Sequence, residues 1–322
     1  QWGITVPVPG YESKRIYVWF EAVMGYFSAT KEWAQRQGRP EAWRDFWEDP
    51  SCRSYYFIGK DNITFHTIIW PAILMGYGGL NLPYDVPANE FLTLEGGKYS
   101  KSQNWAIWVP DYLSRYEADP LRYYLSANMP ETSDSDFSWR DFYRRNNDEL
   151  VATYGNLVHR VLSFTYRSFQ GQVPQPGPLD VADQALLSRA EATLQEVAER
   201  LEVCRFREAV QSWMGLAQEA NRYVDAKAPW RTIRSDRQAA ATTLWVCINV
   251  ISALKTATSP FLPFSARKLH RFLGFSGEPE RAGWAFQRVQ GGQRLAEPAP
   301  LFNKLDERGV EEENQRLASR AG

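Results

Sequence analysis

The chain has 322 residues, and its 37 lysines and arginines nearly balance its 38 aspartates and glutamates, giving a formal net charge of −1. This balance excludes binding of nucleic acid through overall charge, so any such binding depends on local patches. The length allows about two domains of ordinary size, and the 44% hydrophobic content is enough for packed cores.

Other features narrow the class of protein. We find no run of about 18 apolar residues that predicts a membrane span and no signal peptide. Cys52, Cys204 and Cys247 lie far apart in the sequence, which argues against a disulfide framework and against a structural zinc site. We therefore expect a protein of the reducing cytoplasm.

Residues 1–115 predict an α/β domain. Ile16–Phe20, Tyr55–Gly59 and Asn89–Leu94 are short runs rich in β-branched and aromatic residues, and Phe65–Leu74 has the apolar spacing of a helix. Strands that alternate with helices form parallel sheets, and ligands bind at the carboxyl ends of such strands. Functional side chains are therefore expected directly after these runs.

Two acidic residues follow the first two predicted strands. Glu21 could hold a substrate ammonium group, with Trp19 and Tyr26 as the walls of an apolar pocket beside it. Asp61 could accept a hydrogen bond from a ribose hydroxyl or an ammonium group, and His66 could contact the same ligand. The alternatives are a core tryptophan with an acid at its rim, and a histidine that is satisfied within the core.

The stretch Lys98–Ser102 contains two lysines and two serines and comes directly after Gly96 and Gly97. Lysine ammonium groups on long side chains suit phosphate groups, and cations directed at a leaving pyrophosphate stabilise the charge that builds on it. We expect the glycines to act as a hinge that lets this loop move. The alternative is a solvated basic loop, because short motifs also occur by chance.

Residues 116–142 are predicted to connect two domains. Leu121–Leu125 predicts a helix, Glu131–Asp136 predicts a polar turn, and Ser138 is predicted to cap the next helix. Arg122 comes soon after Asp119, and we interpret the two as a structural ion pair.

Residues 143–274 predict a helical bundle, because apolar residues recur at helical spacing and the connections are short. Asn156 and Arg160 are four residues apart, which places them on one helical face, and Trp230 follows a predicted helix end. An amide, a guanidinium and an indole can bind unpaired bases, although an ordinary polar surface beside a half-buried tryptophan would give the same spacing. Residues 275–322 are rich in Gly, Glu and Arg, and we expect little order in this tail.

In this order, the segments resemble methionyl-tRNA synthetase, a class I aminoacyl-tRNA synthetase, over about residues 1–305. Lys98–Ser102 resembles the family's Lys-Met-Ser-Lys-Ser loop, and Tyr17–Tyr26 resembles its Tyr-Val-Trp-Leu-Asp-Ala-x-x-Gly-Tyr segment. The shorter matches are Phe57–Asp61, Phe65-His66, Leu121–Tyr124, Asn156 with Arg160, and Ala228–Trp230. The resemblance is specific because these matches keep one order across two kinds of domain.

The resemblance implies the second half of a class I Rossmann-type catalytic domain, followed by an α-helical anticodon-binding bundle. The implied methionine-binding residues are Trp19, Glu21, Ala22, Tyr26 and His66, with Val23 and Asn62 at the pocket's edge. The implied ATP-binding residues are Lys98, Ser100, Lys101, Ser102 and Asp61. Lys98 and Lys101 would be catalytic, and Mg²⁺ would accompany ATP. The anticodon of tRNA would be bound by Asn156, Arg160 and Trp230.

Several positions depart from the family pattern. Glu21 replaces an aspartate, Tyr99 replaces the methionine of the loop, and Gln103-Asn104 replace an Arg-Gly pair, which we expect to stiffen the loop. The family's His-x-Gly-His motif occurs nowhere in the sequence. We therefore expect the C-terminal portion of a synthetase, whose partner would be the N-terminal half of the catalytic domain, and which would be inactive and poorly stable alone.

These observations predict a methionine–tRNA ligase, which forms methionyl-adenylate from methionine and ATP and then transfers methionine to the acceptor end of tRNA. Two alternatives stay open. A sister class I synthetase for leucine, isoleucine, valine or cysteine would share the lysine loop. A non-catalytic tRNA-binding protein would need only the bundle.

Overall fold

The computed structural model describes residues 3–321. Gln1 and Trp2 of the predicted first domain and Gly322 of the predicted tail lie outside the described residues. The chain divides into two compact units, and the predicted domain boundaries stay a prediction. The N-terminal unit comprises the residues up to Phe91 together with Pro130–Asp134, and the helical unit comprises Leu92–Met129 and the residues from Ser135 onward.

The N-terminal unit is mainly helical, with one small sheet. Strand β1 pairs in parallel with β2, in agreement with the predicted parallel class. The described elements of this unit are α1 (Val18–Arg36), α2 (Arg44–Trp47), β1 (Ile58–Gly59), a 3₁₀ turn (Lys60–Asn62), a π-helical segment (Phe65–Ile69) that continues into α3 (Trp70–Tyr77), and β2 (Ala88–Asn89).

The predicted strand Ile16–Phe20 is wrong, because α1 begins directly after Tyr17. Tyr17 has extended backbone angles, φ −62° and ψ 123°, so only the residues before it are extended. Trp19 and Val23 stand one helical turn apart, and Val23 is buried, so the apolar spacing over a longer window is that of a helix. Glu21 consequently lies in the first turn of α1, where the helix dipole favours a carboxylate, and not at a strand end.

Aromatic side chains form the core of the N-terminal unit. Phe27 packs edge-on against Trp43 and Trp47, with ring centroids 5.1 Å apart in both pairs. The buried indole of Trp70 donates a hydrogen bond to the Tyr56 hydroxyl over 3.0 Å. The first two contacts hold α1 against α2, and the hydrogen bond ties the start of α3 to the residues before β1.

The predicted strand Asn89–Leu94 is divided between two sheets. The backbone N–H groups of Glu90 and Phe91 donate to the Pro130 carbonyl and to the Asp134 carboxylate, so these two residues leave the strand ladder. The second sheet belongs to the helical unit and has the order β4-β3-β5, with β3 antiparallel to β4 and parallel to β5. Its strands are β3 (Leu92–Leu94), β4 (Gly97–Lys98) and β5 (Ser135–Phe137).

Helices make up most of the helical unit. The Ser138 hydroxyl accepts from the Asp141 N–H at 3.2 Å, which confirms the predicted cap. The helices up to the end of the bundle are α4 (Val109–Leu113), α5 (Ala118–Ala127), α6 (Trp139–Arg144), a π-helical segment (Arg145–Gly155), α7 (Asn156–Ser168), α8 (Val181–Glu202), α9 (Phe206–Lys227), α10 (Pro229–Thr232), α11 (Arg237–Thr258) and α12 (Pro263–Phe272).

Helix α11 is the centre of the bundle. Between Ala240 and Thr258 every residue except Trp245 is buried. In the described part of the chain it is the one helix whose length and composition would suffice to cross a membrane, and 89% of its apolar window is buried inside the protein. Burial on all sides is typical of a core helix.

Arg122 is structural, but its predicted ion pair with Asp119 is not formed. Its guanidinium donates to the carbonyls of Pro260 and Phe261, just past the end of α11. Asp119 is buried and accepts from both the N–H and the hydroxyl of Ser265 at 2.6 Å. Both side chains therefore satisfy backbone groups at helix ends.

The tail from residue 275 onward is more ordered than we expected. It contains a 3₁₀ turn (Pro279–Ala282) and helix α13 (Arg308–Ala321). Five of its apolar residues are buried, and they explain why a charged segment is held in place: Val289, Leu295, Leu301, Phe302 and Leu317.

Part of this tail runs in extended form along α11. Side chains on successive turns of α11 form hydrogen bonds with the backbone of this segment. They take the place that a neighbouring strand would have in a sheet. The carbonyls of alternate residues accept these bonds: Ala285 from Thr256 at 3.1 Å, Gln287 from Ser252 at 2.7 Å, and Val289 from Asn249 at 3.2 Å. The Asn249 side chain also accepts from the Val289 N–H at 2.9 Å.

Candidate functional site

A buried histidine lies between two segments of the N-terminal unit. His66 is only 2% exposed, and its Nε2 lies 2.8 Å from the Tyr26 hydroxyl. Its Nδ1 lies 2.9 Å from the Asn62 carbonyl oxygen. Because a carbonyl can only accept, Nδ1 donates to Asn62, and in the neutral ring Nε2 accepts from Tyr26. The ring is therefore fixed in one tautomer and one orientation.

The face of α1 that carries Tyr26 also carries Trp19. Trp19, Ala22 and Tyr26 follow the i, i+3, i+7 spacing of a single helical face. The Trp19 indole stacks on Phe65, with ring centroids 4.6 Å apart and an interplanar angle of 16°. The structure thus places Tyr26 against His66, and Trp19 against Phe65, the residue before His66. We refer to these four side chains as the aromatic group.

Glu21 and Asp61 stand apart from this aromatic group. Glu21 lies two residues from Trp19, about 200° around the helix. Asp61 is exposed in the 3₁₀ turn that follows β1. Neither carboxylate forms an ion pair with the described residues, so both would be available to a ligand.

Gly96 belongs to a tight turn, and its expected role as a hinge stays a prediction. Glu95 and Gly96 have φ angles of +48° and +75°, which link β3 and β4 in a two-residue hairpin. The Gly96 N–H donates to Asp136 at 2.9 Å, and the Glu95 carboxylate accepts from the Trp139 N–H at 2.7 Å. These bonds tie the turn to β5 and α6.

The lysine loop, Lys98–Ser102, lies at the far end of this hairpin. Ser100 and Trp105 pair through two backbone hydrogen bonds of 3.0 and 2.9 Å. Lys98 and Lys101 are both exposed, and within residues 3–321 neither forms an ion pair. The Ser100 hydroxyl lies 3.3 Å from that of Ser102. Ser102 is exposed as well, whereas Ser100 is half-buried.

Tyr99 points away from this polar group. It packs partly buried against the apolar cluster around Leu94 and Phe137, and burial raises the pKa of Tyr99 to about 12. Its ring therefore anchors the loop at neutral pH as an uncharged apolar group, in the position where the family has methionine.

Arg160 and Trp230 meet on the surface of the bundle. The Arg160 guanidinium carbon lies 5.1 Å from the centroid of the Trp230 ring, which is a cation–π distance. Two residues of α9 hold the guanidinium from the other side: Asp225 accepts at 2.7 Å and Asn221 accepts at 3.2 Å. Asn156 is exposed one turn before Arg160.

Asn221 and Asp225 were missed by sequence reasoning. They are four residues apart on α9, so their spacing alone could have identified a polar pair on one face. Their partner lies on α7, and no local pattern identifies a contact between distant helices.

No metal site is evident in the part of the chain that the structure describes. Among residues 3–321, no group of three or more His, Cys, Asp or Glu side chains could hold a metal ion.

Two family models match the chain. The model for tRNA synthetases class I (M) matches residues 1–162. The model for the anticodon binding domain of methionyl tRNA ligase matches residues 173–321, which includes the tail and α13.

The sequence is similar to curated methionine–tRNA ligases. It is 58% identical to the ligase of Dehalococcoides mccartyi strain BAV1 over 98% of the chain and 57% of the relative. It is 51% identical to that of Thermomicrobium roseum over 100% of the chain and 60% of the relative. The chain therefore spans about three fifths of the length of these relatives.

Solved structures of Mycobacterium tuberculosis methionyl-tRNA synthetase have a similar fold. The structure bound by methionyl-adenylate is 29% identical and has a TM-score of 0.80, covering 94% of this chain and 58% of that one. The structure of the free state is 28% identical and has a TM-score of 0.77, covering 95% of this chain and 59% of that one.

Proposed function

The chain belongs to the methionyl-tRNA synthetase family of class I tRNA synthetases, and from this premise we propose that it takes part in the ATP-dependent activation of methionine and its transfer to tRNA. The contact between Tyr26 and His66 supports this proposal most strongly. Two segments that the family resemblance singles out, 40 residues apart in the chain, meet there in one aromatic group.

We propose that this aromatic group binds the methionine side chain. A thioether gains from contact with aromatic rings, and Trp19, Tyr26 and His66 offer such rings, with Ala22 on the same face of α1. The bond from His66 to the Asn62 carbonyl keeps the imidazole in place before the ligand arrives. Because Glu21 lies about 200° around α1 from Trp19, we assign it no contact with the methionine side chain, and its carboxylate would reach only a polar group outside the aromatic group.

The lysine loop would bind ATP. Methionine's carboxylate oxygen attacks the α-phosphorus, the bond from that phosphorus to the bridging oxygen breaks, and pyrophosphate leaves with its charge. Lys98 and Lys101 would stabilise that charge as it develops, while Ser100 and Ser102 donate hydrogen bonds to phosphate oxygens. Asp61 would accept a hydrogen bond from the ribose.

The Arg160–Trp230 pair would bind the anticodon. Trp230 offers a ring face for stacking, and Arg160 and Asn156 offer donors for base edges. Because Asp225 and Asn221 already hold the guanidinium, it keeps its orientation in the free protein.

Mg²⁺ would accompany ATP as the counterion of the triphosphate. We further propose a cytoplasmic location, and we keep the N-terminal half of a catalytic domain as the expected partner of the N-terminal unit. The exposed side chains of Phe20, Ile68 and Met75 support such a partner, because large apolar groups in solvent are typical of interaction surfaces.

The test is amino-acid-dependent exchange of pyrophosphate into ATP by the full-length product of the gene. We expect exchange with methionine and little with leucine, isoleucine, valine or cysteine. Exchange with one of those four and not with methionine would assign a sister synthetase. Binding of tRNA by a full-length protein that exchanges with none of the five would assign a non-catalytic tRNA-binding protein.

A further inference from the structure

Two residues after the lysine loop, the chain has unusual backbone geometry. Asn104 has a φ angle of +52°, and its N–H donates to the Lys101 carbonyl at 3.2 Å. Asparagine tolerates this left-handed conformation better than most residues. The chain can thus turn back sharply from Lys101 to Trp105, which pairs with Ser100.

The side chain of Asn104 connects the loop to two other segments. Its Nδ2 donates to the backbone carbonyl of Arg320 in α13 at 3.1 Å. Its Oδ1 accepts from the Trp108 indole at 2.9 Å. One amide therefore uses its donor and its acceptor to join the end of the loop to a helix more than 200 residues further along the chain.

Helix α13 is itself held firmly near the loop. The Arg320 guanidinium donates to both carboxylate oxygens of Asp111, at 2.9 and 3.0 Å. Arg115 donates to both oxygens of Glu313, at 2.8 and 2.9 Å, and Glu313 is only 4% exposed. Two hydrogen bonds between one guanidinium and one carboxylate fix the relative orientation of the two groups as well as their distance.

Close packing adds to these ion pairs. A Cβ atom on Gly309 would lie 2.1 Å from the Tyr143 hydroxyl oxygen, so α13 approaches α6 as closely as only glycine permits. Leu317 is buried in the same apolar cluster against which Tyr99 and Trp105 pack. The loop and α13 therefore share one core.

We propose that α13 sets the position of the lysine loop. Asn104 is the positioning residue, because its side-chain hydrogen bond joins the loop to this helix. This inference rests on the proposed function, since the loop's task is to place Lys98 and Lys101 on a triphosphate. The bond from Asn104 to α13 limits how far the end of the loop moves, and so keeps both ammonium groups near one place before ATP binds.

Three variants test this inference in the full-length protein. Asn104→Gly keeps the positive φ angle without strain and removes both side-chain bonds. Asn104→Asp keeps the acceptor for Trp108 and removes the donor to Arg320. Gly309→Ala forces α13 away from Tyr143. Arg308→Ala is the matched control, because this exposed first residue of α13 pairs with Asp306 just before the helix and forms no bond to the loop among the described residues.

We expect hydrogen exchange of the amides in residues 99–105 to become about three- to tenfold faster in the three variants, as the loss of one hydrogen bond implies. The turnover number for pyrophosphate exchange should fall by a similar factor, with the KM for methionine unchanged. The urea midpoint of Asn104→Gly should fall by no more than the loss of two hydrogen bonds implies, and Arg308→Ala should match the unsubstituted protein in every measurement.

Two outcomes would separate this inference from the proposed function. Unaltered loop exchange in both Asn104 variants, or an unchanged or higher turnover number, would overturn the positioning role. Absence of methionine-dependent pyrophosphate exchange in the unsubstituted protein would instead overturn the proposed function, and the hydrogen-exchange comparison would still decide whether α13 holds the loop.

Discussion

The N-terminal unit and the helical unit differ in how far they bury their apolar side chains. In the helical unit, α11 is buried almost entirely from Ala240 to Thr258. In the N-terminal unit, the helix formed by Phe65–Tyr77 leaves Ile68 63% exposed and Met75 70% exposed. Similar apolar residues therefore contribute much to the stability of one unit and little to that of the other.

The two units also differ in how they hold their proposed site residues. Tyr26, His66 and Asn62 are bonded to one another in advance. Lys98 and Lys101 form no ion pair within the described residues. Side chains that are already bonded to one another suit the recognition of a neutral side chain. Unpaired cations suit the stabilisation of negative charge that develops only during the reaction.

Replacement of a loop lysine should have the largest effect. Lys101→Ala should lower the turnover number for methionine-dependent pyrophosphate exchange by about 100-fold or more, the scale of one lost transition-state donor, with little change in the KM for methionine. Exchange kinetics of the full-length protein measure both constants. Lys268→Ala, which removes an exposed lysine paired with Glu117, is the control, and an equal loss there would contradict a specific role for Lys101.

A matched pair of isoleucines tests the difference in burial. Ile251 is 0% exposed and Ile68 is 63% exposed. Ile251→Ala should lower the free energy of unfolding by about 2–5 kcal/mol through lost contacts and a cavity, and Ile68→Ala should change it by less than about 0.5 kcal/mol. Urea denaturation of each variant measures these values. An equal loss of unfolding free energy in the two variants would show that the Ile68 side chain is covered in solution.

A buried lysine should make the stability of the helical unit depend on pH. Lys255 is 1% exposed, and burial lowers the pKa of Lys255 to about 8 from an ordinary 10.5. Below pH 8 both the folded and the unfolded chain carry this charge, and the folded chain bears the cost of burying it. Between pH 8 and about 10.5 only the folded chain has lost the proton, so the free energy of unfolding should rise, by about 1–3 kcal/mol.

Denaturation by urea at pH 7, 8, 9 and 10 measures this rise. Lys255→Met keeps the side-chain length without a titratable group, so this variant should not show the rise in the free energy of unfolding. A rise of the same size in Lys255→Met would assign the effect to another residue.

The smallest expected effect concerns the pocket of the N-terminal unit. Tyr26→Phe removes the hydroxyl that His66 accepts from and leaves the ring in place. The KM for methionine should rise about three- to tenfold, the scale of one hydrogen bond, while the turnover number stays within about twofold. This is the reverse of the pattern expected for Lys101→Ala, and a lower turnover number with an unaltered KM would contradict the division of roles between the units.

The sequence was sufficient to predict most helices and the spacing of several proposed site residues along them. Asn156 and Arg160 follow helical spacing, and Trp19, Ala22 and Tyr26 share a face once their segment is a helix. The helix at Val18 was mistaken for a strand because the β-branched and aromatic residues before Phe20 also suit a strand. Only the recurrence of apolar residues as far as Val23 and Phe27 decides between the two.

Other features depend on contacts between distant segments. Glu90 and Phe91 leave the ladder because their N–H groups bind Pro130 and Asp134, which no local pattern contains. The sequence pattern of α13 is that of a charged tail, because only Val310 and Leu317 mark its apolar side. Its order comes from Arg115 and Asp111, about 200 residues earlier in the chain.

The extended segment along α11 has a consequence for insertions and deletions. Its carbonyls at 285, 287 and 289 meet side chains one helical turn apart, so a single inserted or deleted residue would shift the register by about 3.3 Å. Every later carbonyl would then face away from its partner. The turn at Gly291 and Gly292 gives no relief, because the Gly292 N–H donates to the Val173 carbonyl at 2.7 Å and a Cβ on Gly291 would lie 2.2 Å from the Gln175 side chain. Natural variation in length should therefore avoid both this turn and the five residues before Gln290.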